Sequence, residues 1–307
     1  MSALSGQLAD YICLRRSMGF VMKEATLLAS FVRYLDELGA THASTELALR
    51  WAISTTGALA VTRSQRLGVV RGFCVYLAAL DPTHEVPPVG LLPRRYTRIT
   101  PYIYSEADVA ALMAATDGLV LPWRRLTYRV LIGLLAATGV RLGEALGLDD
   151  TDVDHAGLVM TVRHTKREIA REVPVHATVS NALLEYAAAR DRAFPVRDSS
   201  ALLVSTLGSR LGPCTVEHTF VSLVGAAGLV APEGRRRPRA HDLRHTFAVR
   251  TLMDWHRQGV DVDVAMPALS KVLGHVNPAS TYWYLQAVPE LFEAVTTRVR
   301  PAFEALA

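Results

Sequence analysis

Five prolines fall in the stretch 82–101, at Pro82, Pro87, Pro88, Pro93 and Pro101. They constrain the fold more than any other feature of the sequence. A proline ring fixes φ and removes a backbone donor, so neither a helix interior nor a central strand can pass through such a run. Residues 1–85 and 102–307 therefore form separate domains, joined by a basic, proline-rich linker over 86–101 that carries Arg94, Arg95 and Arg98. A chain of 307 residues, half of them apolar, has enough material for two cores.

The front block reads as helical. Leu27, Leu28, Phe31, Val32, Leu35 and Leu38 recur at three- and four-residue intervals, and Gly39 stops that helix. Ser44 suits an N-cap for a helix over Glu46 to Ile53, and Val69, Phe73, Val75, Tyr76 and Leu80 mark a third. Eight Lys/Arg and seven Asp/Glu nearly cancel over residues 1–85. A polyanion-binding face there would have to come from asymmetry, for instance Arg63, Arg66 and Arg71.

In the second block, Ser105-Glu106-Ala107-Asp108 opens a helix over about 105–116 with N-cap and acidic first-turn chemistry. An apolar helix follows from about Trp123 to Thr138, broken by Gly139, and then a short one from Arg141 to Leu148. Leu158 to Val162 alternates, Arg163 to Ala170 is polar, and Arg171 to His176 returns through Val173 and Val175, which predicts a hairpin or small sheet. From there the pattern is helical to the end. The expected fold is mainly α, with a small β-sheet in the larger domain.

Charged residues make up 20% of the chain and the formal net charge is +4, a mild excess compatible with a polyanionic partner. Of the 33 basic residues only Lys23, Lys166 and Lys271 are lysine, so a lysine inside a motif carries weight. Cys13, Cys74 and Cys214 lie far apart without metal-ligand spacing, which fits a reducing compartment. The longest strongly apolar stretch, Val130 to Val140, is far short of the ~20 residues that span a bilayer. Asp10, Arg15 and Arg16 interrupt the first twenty residues, so no signal peptide is read there. The expectation is a cytoplasmic protein without a membrane partner. The acidic cluster Asp149, Asp150, Asp152 and Asp154 fails as a calcium loop, since position six from Asp150 is His155 and position twelve is Thr161. It reads as a turn, and no metal is expected.

Three constellations could carry chemistry. In Ala240-His241-Asp242-Leu243-Arg244-His245-Thr246, a helix would place His241, Arg244 and His245 on one face, either as a functional surface or as incidental charges. Zinc is disfavoured, because a guanidinium on the same face repels the cation and the glutamate of HExxH is missing. In Thr138-Gly139-Val140-Arg141-Leu142-Gly143-Glu144, an arginine follows a helix-breaking glycine, where it is either a bidentate anion ligand oriented by Glu144 or a solvated charge. The third is Leu273-Gly274-His275 with Thr281-Tyr282-Trp283-Tyr284, in which Tyr282 and Trp283 read as core. Lys166 falls in the polar tip of the hairpin.

In order and spacing these parts resemble the tyrosine recombinase, or phage integrase, family. The resemblance rests on Arg141 in TGxRxxE, Lys166 on a hairpin, His241 and Arg244 in HxLRH, His275 in LGH, and Tyr284 nine residues beyond. It covers about residues 100–290, and the helical front block resembles that family's core-binding domain more loosely.

The resemblance implies a two-domain enzyme that cleaves and rejoins DNA at a recombination site through a 3′-phosphotyrosine on Tyr284. Arg141 and Arg244 would hold the phosphate, Lys166 would protonate the leaving group, His241 would be the base or proton partner, and His275 a phosphate donor. It implies no cofactor, and a homotetramer on DNA with or without sister recombinases. Arg235, Arg236, Arg237 and Arg239, like Arg94, Arg95 and Arg98 in the linker, would contact the DNA backbone. The C-terminal stripe of 289–307 (Leu291, Phe292, Val295, Val299, Phe303, Leu306) would dock on its own domain or on a neighbouring protomer. Tyr284-Leu285-Gln286 lacks the histidine often found two residues after the nucleophile in chromosome-dimer resolvases. That points to a mobile-element recombinase, nucleoid-associated in the cytoplasm. The alternatives are type IB topoisomerase-like relaxation and a non-cleaving accessory protein of the same fold.

Overall fold

The computed structural model describes residues 2–93, 100–163, 170–233, 236–275 and 281–284. The chain divides into two compact units, Met1–Arg98 and Ile99–Ala307. Among the described residues, no helix is long and apolar enough to cross a membrane.

The first unit is built from α1 (Ala3–Ser17), α2 (Ala25–Glu37), α3 (Thr45–Ile53) and α4 (Ala60–Leu80). Ser2 caps α1 and Ser44 caps α3, each hydroxyl accepting a backbone N–H at 3.2 Å. The periodic apolar residues of α2 meet Trp51 of α3 and Val70, Phe73 and Leu77 of α4 in one core, with Phe31 edge-on to Trp51 at 5.3 Å. The Arg66 guanidinium lies 3.9 Å from the Trp51 ring centroid and donates to the Trp51 carbonyl at 3.2 Å, while Arg71 donates to the Pro87 carbonyl at 2.9 Å. These two cations thus brace their own unit. His84 Nδ1 accepts from the Ala43 amide and Glu85 from the Thr45 amide. Leu92 also packs on this core, so the chain after Pro82 is strapped to the first unit for about ten residues.

The second unit opens with the capping box formed by Ser105 and Asp108, which starts α5 (Glu106–Ala115). A 3-10 turn leads to α6 (Pro122–Thr138), which has proline at its first turn. Tyr128, Leu131, Ile132, Leu134 and Leu135 bury this helix at the centre of the unit, against α5, α8 (Ala177–Ala193) and α10 (Ala240–Arg257). Helix α7 (Leu142–Gly147) follows, then a three-stranded antiparallel sheet in the order β1 (Val153–Asp154), β2 (Val159–Val162), β3 (Arg171–Pro174). Met160 pairs with Val173, and Val162 with Arg171. Helices α9 (Pro213–Ala226) and α11 (Val262–Leu273) complete the unit, and residues 281–284 are helical.

The expected mainly helical fold with a small sheet holds, with two local corrections. The acidic stretch does not simply turn: after one 3-10 turn it supplies the third strand, β1. Its carboxylates hold arginines far away in sequence, Asp149 with Arg210, Asp150 with Arg190 and Arg197, and Asp152 with Arg163. The chain is also not helical throughout after the sheet. Residues 194–212 are irregular, with isolated bridges Asp149↔Ala201 and Val204↔Arg210. Leu202, Leu203 and Val204 are buried there, and the buried Arg190 guanidinium donates to the carbonyls of Ala201 and Leu202.

Gly139 ends α6 with φ 63, and a Cβ on it would lie 2.3 Å from Cδ1 of Phe247 on α10. Replacing Gly139 with alanine combines left-handed strain with overpacking. It should lower stability by about 2 kcal/mol or more, measured as a lower urea midpoint at unchanged m-value.

Candidate active site

Two helix C-termini form the frame. Helix α6 ends at Gly139 and α11 at Gly274 (φ 64), both in the left-handed conformation that glycine adopts at no steric cost. Helix ends leave backbone carbonyls without helical partners, and here arginines take them. Arg244 donates to the Gly139 carbonyl at 2.8 Å and to the Leu273 carbonyl. Arg141 donates to the Gly274 carbonyl at 3.1 Å, and Arg171 Nε to the Val272 carbonyl at 2.8 Å.

Glu144 joins two of these arginines. One carboxylate oxygen accepts from Arg141 at 2.8 Å and from Arg171 at 3.0 Å, and the other accepts the Arg141 amide at 2.9 Å and Arg171 at 2.7 Å. Burial pushes this carboxyl up, but the hydrogen bonds from Arg171 and Arg141 and the Arg171 charge bring it down to about 2. Three guanidiniums face one carboxylate in this frame, which leaves it positive.

Helix α10 presents its polar residues at graded depth. Arg244 is only 2% exposed, Leu243 is in the core, His245 is half-buried, and His241 reaches the surface. The His241 and His245 rings meet edge to face at 4.9 Å. His245 Nδ1 and the Tyr284 hydroxyl are 2.9 Å apart. Tyr284 is 2% exposed and also lies face to face with His275 at 6.2 Å between ring centroids. His275 Nδ1 and the Thr281 hydroxyl are 2.7 Å apart, and Ser270 continues the chain at 2.8 Å.

Burial holds the imidazoles neutral. It pushes His245 down to about 3, assisted by His241, Arg239 and Arg244, and His275 down to about 4, assisted by Arg244, Arg141 and Arg171. His241 is also lowered, by burial and then by Arg244. Burial and the Arg141 charge bring Arg244 down to about 10, which leaves it cationic at neutral pH.

The fold therefore brings together Arg141, His241, Arg244, His275 and Tyr284, while Lys166 lies outside the described residues. The strands flanking its segment are paired at Val162↔Arg171, beside Glu144. Arg94, Arg95, Arg98 and Arg235 also lie outside the described residues. Arg236, Arg237 and Arg239 are exposed and, with Arg141 and His241, line an open cavity of about 660 Å³. Arg239 additionally pairs with the buried Asp242 at 2.8 Å.

Tyr282 corrects the sequence reading. In a helical turn, residues three apart share a face, so Thr281 and Tyr284 point inward while Tyr282, expected in the core, is 38% exposed. Trp283 is half-buried, its ring 5.5 Å from that of Tyr284. Sequence reasoning also missed Arg171 and the contact of His245 with Tyr284. The signal for Arg171 was present: in Arg171-Glu172-Val173-Pro174-Val175 it alternates with Val173 and Val175, on the buried face of the strand.

The site thus sets a phenol among guanidiniums and neutral imidazoles, on a mainly helical domain with one small sheet. Residues 104–290 match the phage integrase family. Sinorhizobium fredii y4rB, described as an integrase/recombinase, is 38% identical over 99% of this chain and 99% of its own length. The tyrosine recombinase XerC of Myxococcus xanthus is 27% identical, with 89% of each chain covered. Among solved structures, the Tn1549 transposon integrase in complex with transposon right end DNA aligns with a TM-score of 0.63 at 19% identity, over 98% of this chain and 100% of that one. XerH bound to its difH substrate gives 0.63 at 20%, over 85% and 74%. The chain belongs to the phage integrase family, the tyrosine recombinases, and is a DNA strand-exchange enzyme.

The depressed histidines link the site to stability. Unfolded histidine binds a proton below about pH 6.5, whereas folded His245 and His275 stay neutral until about 3 and 4. Their contribution is present above pH 6.5 and is lost as pH falls through that window, at up to about 1.4 kcal/mol per pH unit for each. Urea midpoints measured from pH 7 to about pH 4.5 should fall, and His275→Gln should flatten the decline.

Proposed function

We propose that this chain cleaves and rejoins double-stranded DNA at a recombination site through a 3′-phosphotyrosine on Tyr284, in moving a mobile genetic element. The observation that carries the reading is the burial of the Tyr284 hydroxyl in the same cluster as Arg244 and His275, with Arg141 on the adjoining turn. Arg141 and Arg244 stabilise charge on the nonbridging phosphate oxygens, in a frame fixed before substrate arrives. His275 donates to the phosphate, and His241, at the mouth of the site, is its proton partner. Lys166 protonates the 5′-oxygen leaving group, a role suited to an ammonium and not to a guanidinium. The bond energy is kept in the protein–DNA ester, so the reaction consumes no ATP and needs no metal.

The mobile-element role draws support from the full-length similarity to y4rB and from the fold shared with the Tn1549 integrase, which was solved on transposon end DNA. Arg94, Arg95, Arg98, Arg235, Arg236, Arg237 and Arg239 contact the DNA backbone and make binding salt-dependent. The apolar stripe within 289–307, outside the described residues, couples protomers in a homotetramer on DNA.

Tyr284→Phe should abolish covalent adduct formation on nicked suicide duplexes, made from the ends of the element encoding the chain, and leave DNA binding nearly unchanged. Tyr282→Phe removes an exposed hydroxyl and should cleave like the wild type. A Tyr282-dependent adduct would move the nucleophile. Failure of bound substrate to give any adduct would favour a non-cleaving DNA-binding role.

A further inference from the structure

We propose that His245 is a catalytic residue of this reaction, taking the phenolic proton of Tyr284 at Nδ1 as the phosphotyrosine bond forms. The inference rests on the strand-transfer reading above. His245 is the residue after Arg244 on α10, so the helix that fixes a phosphate-binding guanidinium also fixes the imidazole. Its Nδ1 is 2.9 Å from the Tyr284 hydroxyl, within direct proton-transfer distance. The ring is wedged between His241 at 4.9 Å, Trp283 at 5.9 Å and Tyr284 at 5.5 Å, which fixes its orientation. His241 is placed differently. It lies one turn earlier, exposed, on the wall of the cavity that also holds Arg141, Arg236 and Arg237, where a phosphate would enter. The two histidines thus divide the work: His241 meets the phosphate and His245 meets the nucleophile.

The surroundings set when His245 becomes basic. His241, Arg239 and Arg244 face it from α10 and its N-cap, His275 from the turn after α11, and Tyr284 from the 281–284 helix. Burial and the Arg239 and Arg244 charges hold the ring neutral, so in the Nε2–H tautomer Nδ1 accepts from the hydroxyl. A phosphodiester entering the guanidinium frame brings a negative charge that offsets this field. The imidazole gains basicity as the phenol must give up its proton. In cleavage, the Tyr284 O–H bond breaks, its electron pair forms the oxygen–phosphorus bond, and the proton passes to Nδ1. The P–O5′ bond breaks and the 5′-oxygen takes a proton from Lys166. In rejoining, the 5′-hydroxyl attacks phosphorus, returns its proton to Lys166, and Tyr284 leaves and recovers its proton from His245.

The test uses full-length protein on the nicked duplexes described above, with His245→Asn and His245→Ala compared with Lys166→Ala. Asparagine keeps a hydrogen-bond acceptor near the Nδ1 position without basicity. Both His245 variants should bind DNA like the wild type and form the Tyr284 adduct at least about 100-fold more slowly. A duplex with a bridging 5′-phosphorothiolate at the cleavage position no longer needs an acid for its leaving group. It should rescue Lys166→Ala and leave the His245 variants slow. Unchanged or faster cleavage in His245→Asn, or rescue of His245 variants by the phosphorothiolate, would overturn the assignment. If wild-type protein bound to these duplexes forms no Tyr284-dependent adduct, the strand-transfer reading fails and takes this inference with it.

Discussion

The buried ion pair between Arg171 and Glu144 is the interaction on which the rest of the site depends. Both side chains are almost fully withdrawn from water, 6% and 4% exposed. Removing one member of such a pair strands the other charge at a cost of roughly 3–5 kcal/mol. The pair gains from every further hydrogen bond that satisfies it, and here those bonds come from three separate elements. Glu144 belongs to α7 and orients Arg141, while Arg171 begins β3 and reaches the last turn of α11 at Val272. One electrostatic knot therefore fixes the hairpin, the helix that follows the first glycine break and the turn before His275.

The two glycine-terminated helices supply the complementary half. A helix C-terminus carries partial negative charge on unsatisfied carbonyls. At both Gly139 and Gly274 that charge is met by guanidiniums, Arg244 at the first and Arg141 at the second. Gly274 is packed so tightly that a Cβ would lie 2.8 Å from the Arg171 guanidinium. The glycines thus serve close approach as much as chain reversal. The guanidiniums are held in place by these carbonyls and, for Arg141, by the Glu144 carboxylate.

Much of this was readable from local pattern. The Ser105 cap, the Gly139 break and the return of the hairpin through Val173 all depend on neighbours in sequence, and their elements lie where spacing puts them. The spacing of Arg141, His241, Arg244, His275 and Tyr284 also marked residues that the fold gathers into one place. What was not readable depends on partners distant in sequence. Asp150 finds Arg190 and Arg197, forty and more positions on, and ties an apparent acidic loop to α8 and the segment after it. The apolar run 201–204 is buried like a strand yet forms only single bridges, a distinction that periodicity cannot make over four residues. Tyr282 and Tyr284 differ in burial because of the phase of one helical turn.

The position of Trp283 makes the centre of this protein optically self-reporting. Its indole lies against the rings of both His245 and Tyr284, and a protonated imidazole quenches a neighbouring indole more strongly than a neutral one does. The emission of a native residue therefore carries the ionisation state of the group beside the phenol. The chain holds three other tryptophans, Trp51, Trp123 and Trp255, so replacing those with phenylalanine would isolate the signal. The protonation of that imidazole could then be followed by light without attaching a dye.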